Sequence, residues 1–398
     1  MSDKAYSIQT RLLHNKYKAD RQTGAVSVPV QHASTFHQFQ FDTFGKYDYG
    51  RSGNPTREVL EDTIAELESG YKGFAFASGM AAISTVLTML NKGDHILITN
   101  DVYGGTYRLL TEVLYKFGID YTFVDMTDMQ QVAVNIKPNT RLIYIETPSN
   151  PLLKVTDLQG VAKLAKANGC LTVVDNTFLT PVLQRPLELG ADIVIHSATK
   201  FIAGHSDVIA GLVVVKSEEI AEQIGFLQNS LGSVLGAQDC WLVLRGLKTL
   251  QVRLEQSSAT AFKLAQWLES RNEVTQVFYP GLTYHPGKPI QTIQASGYGA
   301  VLSFELEDKE AVKVFVEKVE IPVFAVSLGA VESILSYPAT MSHAAMNKSE
   351  RESRGITDGL LRLSVGLERY EDIVNDFSTA LHWAGKVKGK EIPLANIK

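Results

Sequence analysis

Cysteine is almost absent from this chain, which holds two among its 398 residues, Cys170 and Cys240. A disulfide framework is therefore excluded, and a reducing compartment, the cytoplasm, is the expected location. Long hydrophobic runs are missing as well. No uninterrupted apolar stretch approaches the roughly 18 residues that a membrane-spanning helix needs. The opening residues Met1-Ser2-Asp3-Lys4-Ala5-Tyr6-Ser7 lack the apolar core of a secretory signal. Neither sign of charge is in excess: 38 basic against 43 acidic residues leave a formal charge of −5. Neither nucleic acid nor an anionic membrane is thus expected as a partner. The sequence contains no Gly-x-Gly-x-x-Gly and no Walker-type loop, which counts against dinucleotides and nucleoside triphosphates. Its nine histidines show no metal-ligand spacing, so no metal is expected. What remains is a globular protein, most simply an enzyme, with a length that fits two or three domains.

Residues 1–60 are polar, aromatic and rich in turns, as in Phe36-His37-Gln38-Phe39-Gln40-Phe41 and Lys46-Tyr47-Asp48-Tyr49-Gly50-Arg51. Such a stretch builds little core and reads as an arm packed on the main domain or on a second subunit. From Glu58 to Ser69 the apolar residues take helical spacing. Beyond it, short apolar runs alternate with helical stretches at 79–91, 105–117 and 156–168. The runs are 95–99, 121–124, 142–146, 171–175, 192–196 and 211–216. They are continuous rather than alternating, the pattern of strands covered on both faces. Repeated strand-then-helix order predicts an α/β fold with a mostly parallel sheet. Residues 217–272 read as long helix. The rest, with alternating strands at 301–305 and 361–365 and helices at 308–319 and 371–385, predicts a smaller α+β domain with one face of its sheet in solvent. The last dozen residues read as a frayed tail. The expected division is an arm over 1–60, a large domain over 61–257 and a C-terminal domain over 258–398.

Open parallel sheets bind ligands beyond the carboxyl ends of their strands. Two strand ends carry polar residues that packing alone does not demand. The run Leu171–Val174 ends in Asp175-Asn176-Thr177, and Asp192–Ile195 ends in His196-Ser197-Ala198-Thr199-Lys200. A lysine beside a carboxylate is what a pyridoxal phosphate site uses. The amine forms a Schiff base with the aldehyde, while the carboxylate keeps the pyridine nitrogen protonated. Ser78-Gly79-Met80 ahead of a helical stretch offers backbone N–H groups for a phosphate, and Ser197 and Thr199 add hydroxyls. Taken singly, Asp175 also fits a turn residue and Ser78-Gly79 an ordinary helix cap. Cys170 and Cys240 read as core.

The stretch Asp192 to Ser206 resembles the lysine signature of the Cys/Met-metabolism pyridoxal phosphate enzymes. Three further segments match that family: Tyr49-Gly-Arg51-Ser-Gly-Asn-Pro-Thr-Arg57, Tyr103-Gly-Gly-Thr106, and Ser327-Leu-Gly-Ala-Val-Glu-Ser333 leading to Arg362-Leu-Ser-Val-Gly366. The resemblance runs from about residue 20 to about residue 385. It implies a fold type I enzyme with a mostly parallel seven-stranded sheet in the large domain and pyridoxal 5'-phosphate as cofactor. Lys200 and Tyr103 would be the catalytic residues, Tyr103 stacking on the ring. Asp175 would pair with the pyridine nitrogen. Gly79, Met80, Ser197 and Thr199 would hold the phosphate, joined by Tyr49 and Arg51 from a neighbouring subunit. Asn150, Ser327 and Arg362 would bind the substrate, with Arg362 gripping its carboxylate as a bidentate fork. The family also implies a homotetramer built as a dimer of dimers.

Within the family, γ-lyases of cystathionine tend to carry an acidic residue just before the serine at 327, where this chain has Val326. The stretch from Val326 to Met346 is more similar to bacterial cystathionine β-lyases of methionine biosynthesis. The implied reaction is β-cleavage of cystathionine, or of a related thioether amino acid, to homocysteine, pyruvate and ammonia. Cystathionine γ-lyase, cystathionine γ-synthase and methionine γ-lyase activities stay open as alternatives.

Overall fold

A computed structural model describes residues 6–387 apart from 15, 16 and 18. The tail expected over the last dozen residues lies, from 388 onward, outside the described residues. Seven strands make the large sheet: β1 (Lys72–Phe76), β2 (His95–Thr99), β3 (Asp120–Val124), β4 (Thr140–Glu146), β5 (Leu171–Asp175), β6 (Ile193–Ser197) and β7 (Gly211–Val215). Their order is β1-β7-β6-β5-β4-β2-β3, and β7 alone runs against its neighbours. The continuous apolar runs are explained by cover on both faces. Alternate residues of β2 point to opposite cores, Leu97 to one and Ile96 and Ile98 to the other. Helices Pro55–Leu67, Leu158–Ala167 and Ala237–Leu247 supply the first core. Helices Gly79–Leu87 and Glu218–Leu231 supply the second.

Strand β1 escaped the sequence reading because Lys-Gly-Phe-Ala-Phe carries a charge and a glycine. The glycine has a packing reason: a Cβ on Gly73 would stand 2.3 Å from the Glu61 carbonyl oxygen, so helix Pro55–Leu67 lies directly on this strand. Two helical expectations are corrected. The stretch 105–117 is an α-turn over Gly104–Arg108, a π-turn over Leu109–Val113 and a 3₁₀ turn over Leu114–Phe117, stopped by Gly118 in the left-handed region. The expected long helix over 217–272 is three helices. Gly232 stops the first with φ 74°, and Lys248-Thr249 separates Ala237–Leu247 from Leu250–Glu269.

The second sheet has five strands, β8 (Val274–Phe278), β9 (Val301–Leu306), β10 (Val323–Phe324), β11 (Ile334–Ser336) and β12 (Leu360–Ser364), in the order β10-β11-β12-β9-β8. Its core is aromatic, with Phe315 5.6 Å from Phe304 and 5.2 Å from Phe377 between ring centroids. Helix Leu250–Glu269 joins the two bodies: Leu250 and Leu254 pack in the core of the large sheet, Leu264 and Leu268 in that of the small one.

One expectation for this sheet fails. The polar face of β9 and β12 is buried, not solvated. Ser336, Arg362 and Ser303 lie side by side in register across β11, β12 and β9, all buried. Ser303 donates to the Pro151 carbonyl of the large domain at 2.7 Å. The alternation in the sequence separates an apolar core from a polar cavity rather than from water. The arm is mixed in character: Leu12 is buried in the large core, whereas Phe39, Phe41 and Phe44 stand in the open.

Candidate active site

The carboxyl ends of β4, β5 and β6, the polar face of the small sheet and the start of helix Gly79–Leu87 enclose a cavity of about 470 Å³. Gly79, Met80, Tyr103, Asn150, Asp175, Ser197, Thr199, Lys200, Ser327 and Arg362 all line it. Tyr49 and Arg51 do not. Both are exposed on the arm, with the Arg51 guanidinium 5.6 Å from the Tyr49 ring centroid.

Lys200 lies just after β6, and its Nζ donates to Ser327 Oγ at 2.6 Å. Burial, helped by the charge of Arg362, lowers the amine to about 8, so a minor fraction, roughly a fifth, is neutral at about pH 7.4. Ser327 has φ 92°, a region that a side chain makes costly. It is held there because its carbonyl accepts Arg362 Nη2 at 2.6 Å. Arg362 also donates to Asn150 Oδ1 at 2.8 Å and to Ser336 Oγ at 3.0 Å. Burial lowers its guanidinium to about 10, which leaves it charged at neutral pH. Its buried Nε has no protein partner, an orphan donor at the cavity wall that a ligand carboxylate would satisfy.

Asp175 ends β5. Its Oδ1 accepts the Thr177 hydroxyl at 2.6 Å and the Thr177 N–H at 3.1 Å, and Oδ2 accepts the Tyr144 hydroxyl at 3.3 Å. Burial nonetheless raises its carboxyl, and an adjacent cation would favour its ionised form. At the other end of the cavity Ser78 caps helix Gly79–Leu87, accepting from Ala81 N at 3.0 Å. The first N–H groups of that helix are thereby left for an anion. A Cβ on Gly79 would sit 2.9 Å from Ser197 Oγ, so only glycine leaves this cradle open. A group with an anionic end and a protonated ring nitrogen fits these donors and this carboxylate.

Sequence reasoning missed Glu146, which ends β4 and accepts the N–H groups of Tyr103 and Asn150, each at 2.9 Å. The signal was present: Glu146 closes a buried apolar run, the same rule that singled out Asp175. Ser336 and Tyr144 were missed because nothing in a sequence says which strand lies beside which. His343, between the cavity-lining residues Ser342 and Ala344, is buried, and burial with the charge of Arg362 lowers it to about 3, so it is neutral. Among the described residues no group of three or more His, Cys, Asp or Glu side chains could hold a metal ion. Cys170 and Cys240 are buried free thiols.

The family described as Cys/Met metabolism PLP-dependent enzyme matches residues 9–382, and the chain belongs to it. Its cofactor is pyridoxal 5'-phosphate. The chain is 65% identical to the cystathionine beta-lyase MetC of Bacillus subtilis, over 96% of this chain and 98% of that protein. It is 53% identical to the cystathionine beta-lyase of Lactococcus lactis subsp. cremoris, over 94% and 99% of the two chains. The crystal structure of cystathionine gamma-lyase from Lactobacillus plantarum complexed with L-serine superposes with a TM-score of 0.93 at 46% identity, over 96% of this chain and 100% of that one.

Proposed function

We propose that this protein cleaves L-cystathionine by β-elimination to homocysteine, pyruvate and ammonia, as a step of methionine biosynthesis. The observation that carries this reading is the 65% identity, almost end to end, with a cystathionine β-lyase. Val326, an apolar residue on the cavity wall just before Ser327, supports it over γ-cleavage.

Bound pyridoxal phosphate supplies an electron sink for negative charge at the substrate Cα. The Ser78–Met80 turn, Ser197 and Thr199 would hold its phosphate, Asp175 would pair with its ring nitrogen, and Tyr103 would lie against its ring, all of them lining the cavity. Arg362, with its spare Nε, binds the substrate carboxylate and so fixes which face of Cα meets Lys200. Neutral Lys200 Nζ takes the Cα proton. The Cβ–S bond then breaks, the sulphur leaves with a proton as homocysteine, and the three-carbon remainder takes up water to give pyruvate and ammonia.

The arm over 1–60 belongs to this site across a subunit boundary. Tyr49 and Arg51 reach the phosphate of a neighbouring subunit, which accords with their exposure away from their own cavity. The protein works as a homotetramer, a dimer of dimers, in the cytoplasm. Residues 61–257 form its cofactor domain and 258–398 its C-terminal domain. Among the described residues no helix is long and apolar enough to cross a membrane.

Incubation with cystathionine and separation of the products tests the reaction. Homocysteine with pyruvate is expected, whereas cysteine with 2-oxobutyrate would replace this reading by γ-cleavage. For the arm, mixed oligomers of Arg51→Ala and Lys200→Ala subunits are expected to regain part of the activity. No regain in verified hybrids would place the arm in its own subunit.

A further inference from the structure

Helix Pro55–Leu67 begins with Asn54 as its cap and carries Arg57 in its first turn. An arginine there opposes the positive end of the helix dipole and belongs, on helix grounds, at the other end. Yet Arg57 is buried, with 2% of its surface exposed. Its guanidinium forks onto two successive carbonyls of the arm, Nη1 to Gly50 at 2.8 Å and Nη2 to Arg51 at 2.9 Å. Beneath it, Glu61 Oε1 lies 3.4 Å from Nε and accepts the N–H of Ala75 in β1 at 2.9 Å. Strand β1 ends at Phe76, two residues before the Ser78 cap.

We propose that Arg57 is a positioning residue for cofactor phosphate binding. It locks the Gly50–Arg51 turn in the shape that delivers the Arg51 guanidinium to the neighbouring subunit, and through Glu61 it seats that turn on the strand feeding its own Ser78–Met80 loop. The inference rests on the reading of Arg51 as a phosphate ligand in trans. The cost of burying a guanidinium is offset here by the two carbonyls, which take its terminal nitrogens, and by the Glu61 carboxylate, which stands 3.4 Å from Nε as a counter-charge without a hydrogen bond. Lysine keeps the charge but cannot span two carbonyls and a carboxylate at once.

The test uses full-length protein stripped of cofactor and titrated with pyridoxal phosphate and, separately, with pyridoxal, which lacks the phosphate. For Arg57→Lys, affinity for pyridoxal phosphate is expected to fall tenfold or more, with pyridoxal binding changed less than twofold. Arg51→Met, as reference, is expected to show the same selectivity. If Arg57→Lys binds pyridoxal phosphate like the parent while Arg51→Met is weakened, the inference fails and the reading of Arg51 stands. If Arg51→Met binds normally, that reading fails and the inference with it. Equal loss for both ligands in Arg57→Lys marks general damage and overturns the inference. Should Arg57→Lys not fold, Glu61→Gln, which keeps an acceptor for Ala75, is expected to show the same selectivity at about threefold; unaltered binding there overturns it.

Discussion

Glu146 and Asp175 stand opposite each other in register at the ends of β4 and β5, two carboxylates on one buried wall of the same cavity. Burial, with the charge of Asp175 second, pushes Glu146 well above the usual carboxylate range. Two like charges so placed cannot both ionise cheaply, and a ring cation held beside Asp175 would decide which one does. Glu146 also ties together two walls of the cavity, since it accepts from Tyr103 on one side and from Asn150, the partner of Arg362, on the other.

Replacing Glu146 by glutamine puts an NH₂ group against one of two N–H donors. Either Tyr103 or Asn150 must then shift, at a cost of about 1–3 kcal/mol for the unsatisfied donor. We expect kcat/KM for cystathionine to fall roughly 10- to 100-fold, and stability toward denaturant at neutral pH to fall by up to about 1–3 kcal/mol. A variant with unchanged kcat/KM would show that the carboxylate does not organise the walls.

The lowered amine of Lys200 makes stability depend on pH. Its proton is held to about 8 in the folded protein and to about 10.5 in the unfolded chain. Between those values the unfolded state binds more protons, so stability rises with pH across the window and the penalty is full below pH 8. The shift corresponds to roughly 3 kcal/mol. Cofactor-free Lys200→Met is expected to be more stable than the cofactor-free parent at pH 7, by about 1–3 kcal/mol after the loss of the Ser327 bond. That advantage should shrink toward pH 10.5. Guanidinium unfolding at pH 7 and pH 10 reads the difference, and an equal offset at both would mean that the amine is not perturbed.

How far the sequence could be read depends on whether the deciding contact is local. The apolar runs of β2, β4, β5, β6 and β7 declared themselves because burial on both faces leaves few polar positions to interrupt them. Strand β1 did not, since its charge and its glycine mask the apolar pattern, and Gly73 answers to the packing of the preceding helix rather than to strand periodicity. Lys200 and Asp175 were legible as polar residues at buried strand ends, and Glu146 was equally so. Ser336 acquires its meaning only from its register with Arg362, 26 residues away. The polar alternation of β9 and β12 was seen but assigned to water, because alternation tells that a face is polar and not what covers it.

Arg362 offers a sharper test of substrate binding. Its two terminal nitrogens serve Asn150, Ser327 and Ser336, and its Nε is free for a ligand. Lysine in its place would present one ammonium to a site built for a planar fork and would leave buried acceptors unpaired. We expect KM for cystathionine to rise by roughly two orders of magnitude, with kcat reduced less. A loss confined to kcat would assign Arg362 to the chemistry rather than to carboxylate recognition.

Val326 bears on which carbon–sulphur bond breaks. The residue is 66% exposed at the cavity wall, so a carboxylate can replace it without burying a charge. Placed there, the carboxylate would meet the distal ammonium of cystathionine and draw the substrate toward the register that presents Cγ rather than Cβ. A partly exposed ion pair stabilises by up to about 1 kcal/mol, a factor of roughly two to five in the ratio of products. Val326→Glu is therefore expected to raise 2-oxobutyrate relative to pyruvate by that factor, measured by chromatography of the two keto acids. The neutral Val326→Gln should leave the ratio where it was, which separates charge from shape. If Glu and Gln behave alike, position 326 does not set the choice of bond, and the rest of the cavity wall, starting with Met341, must carry it.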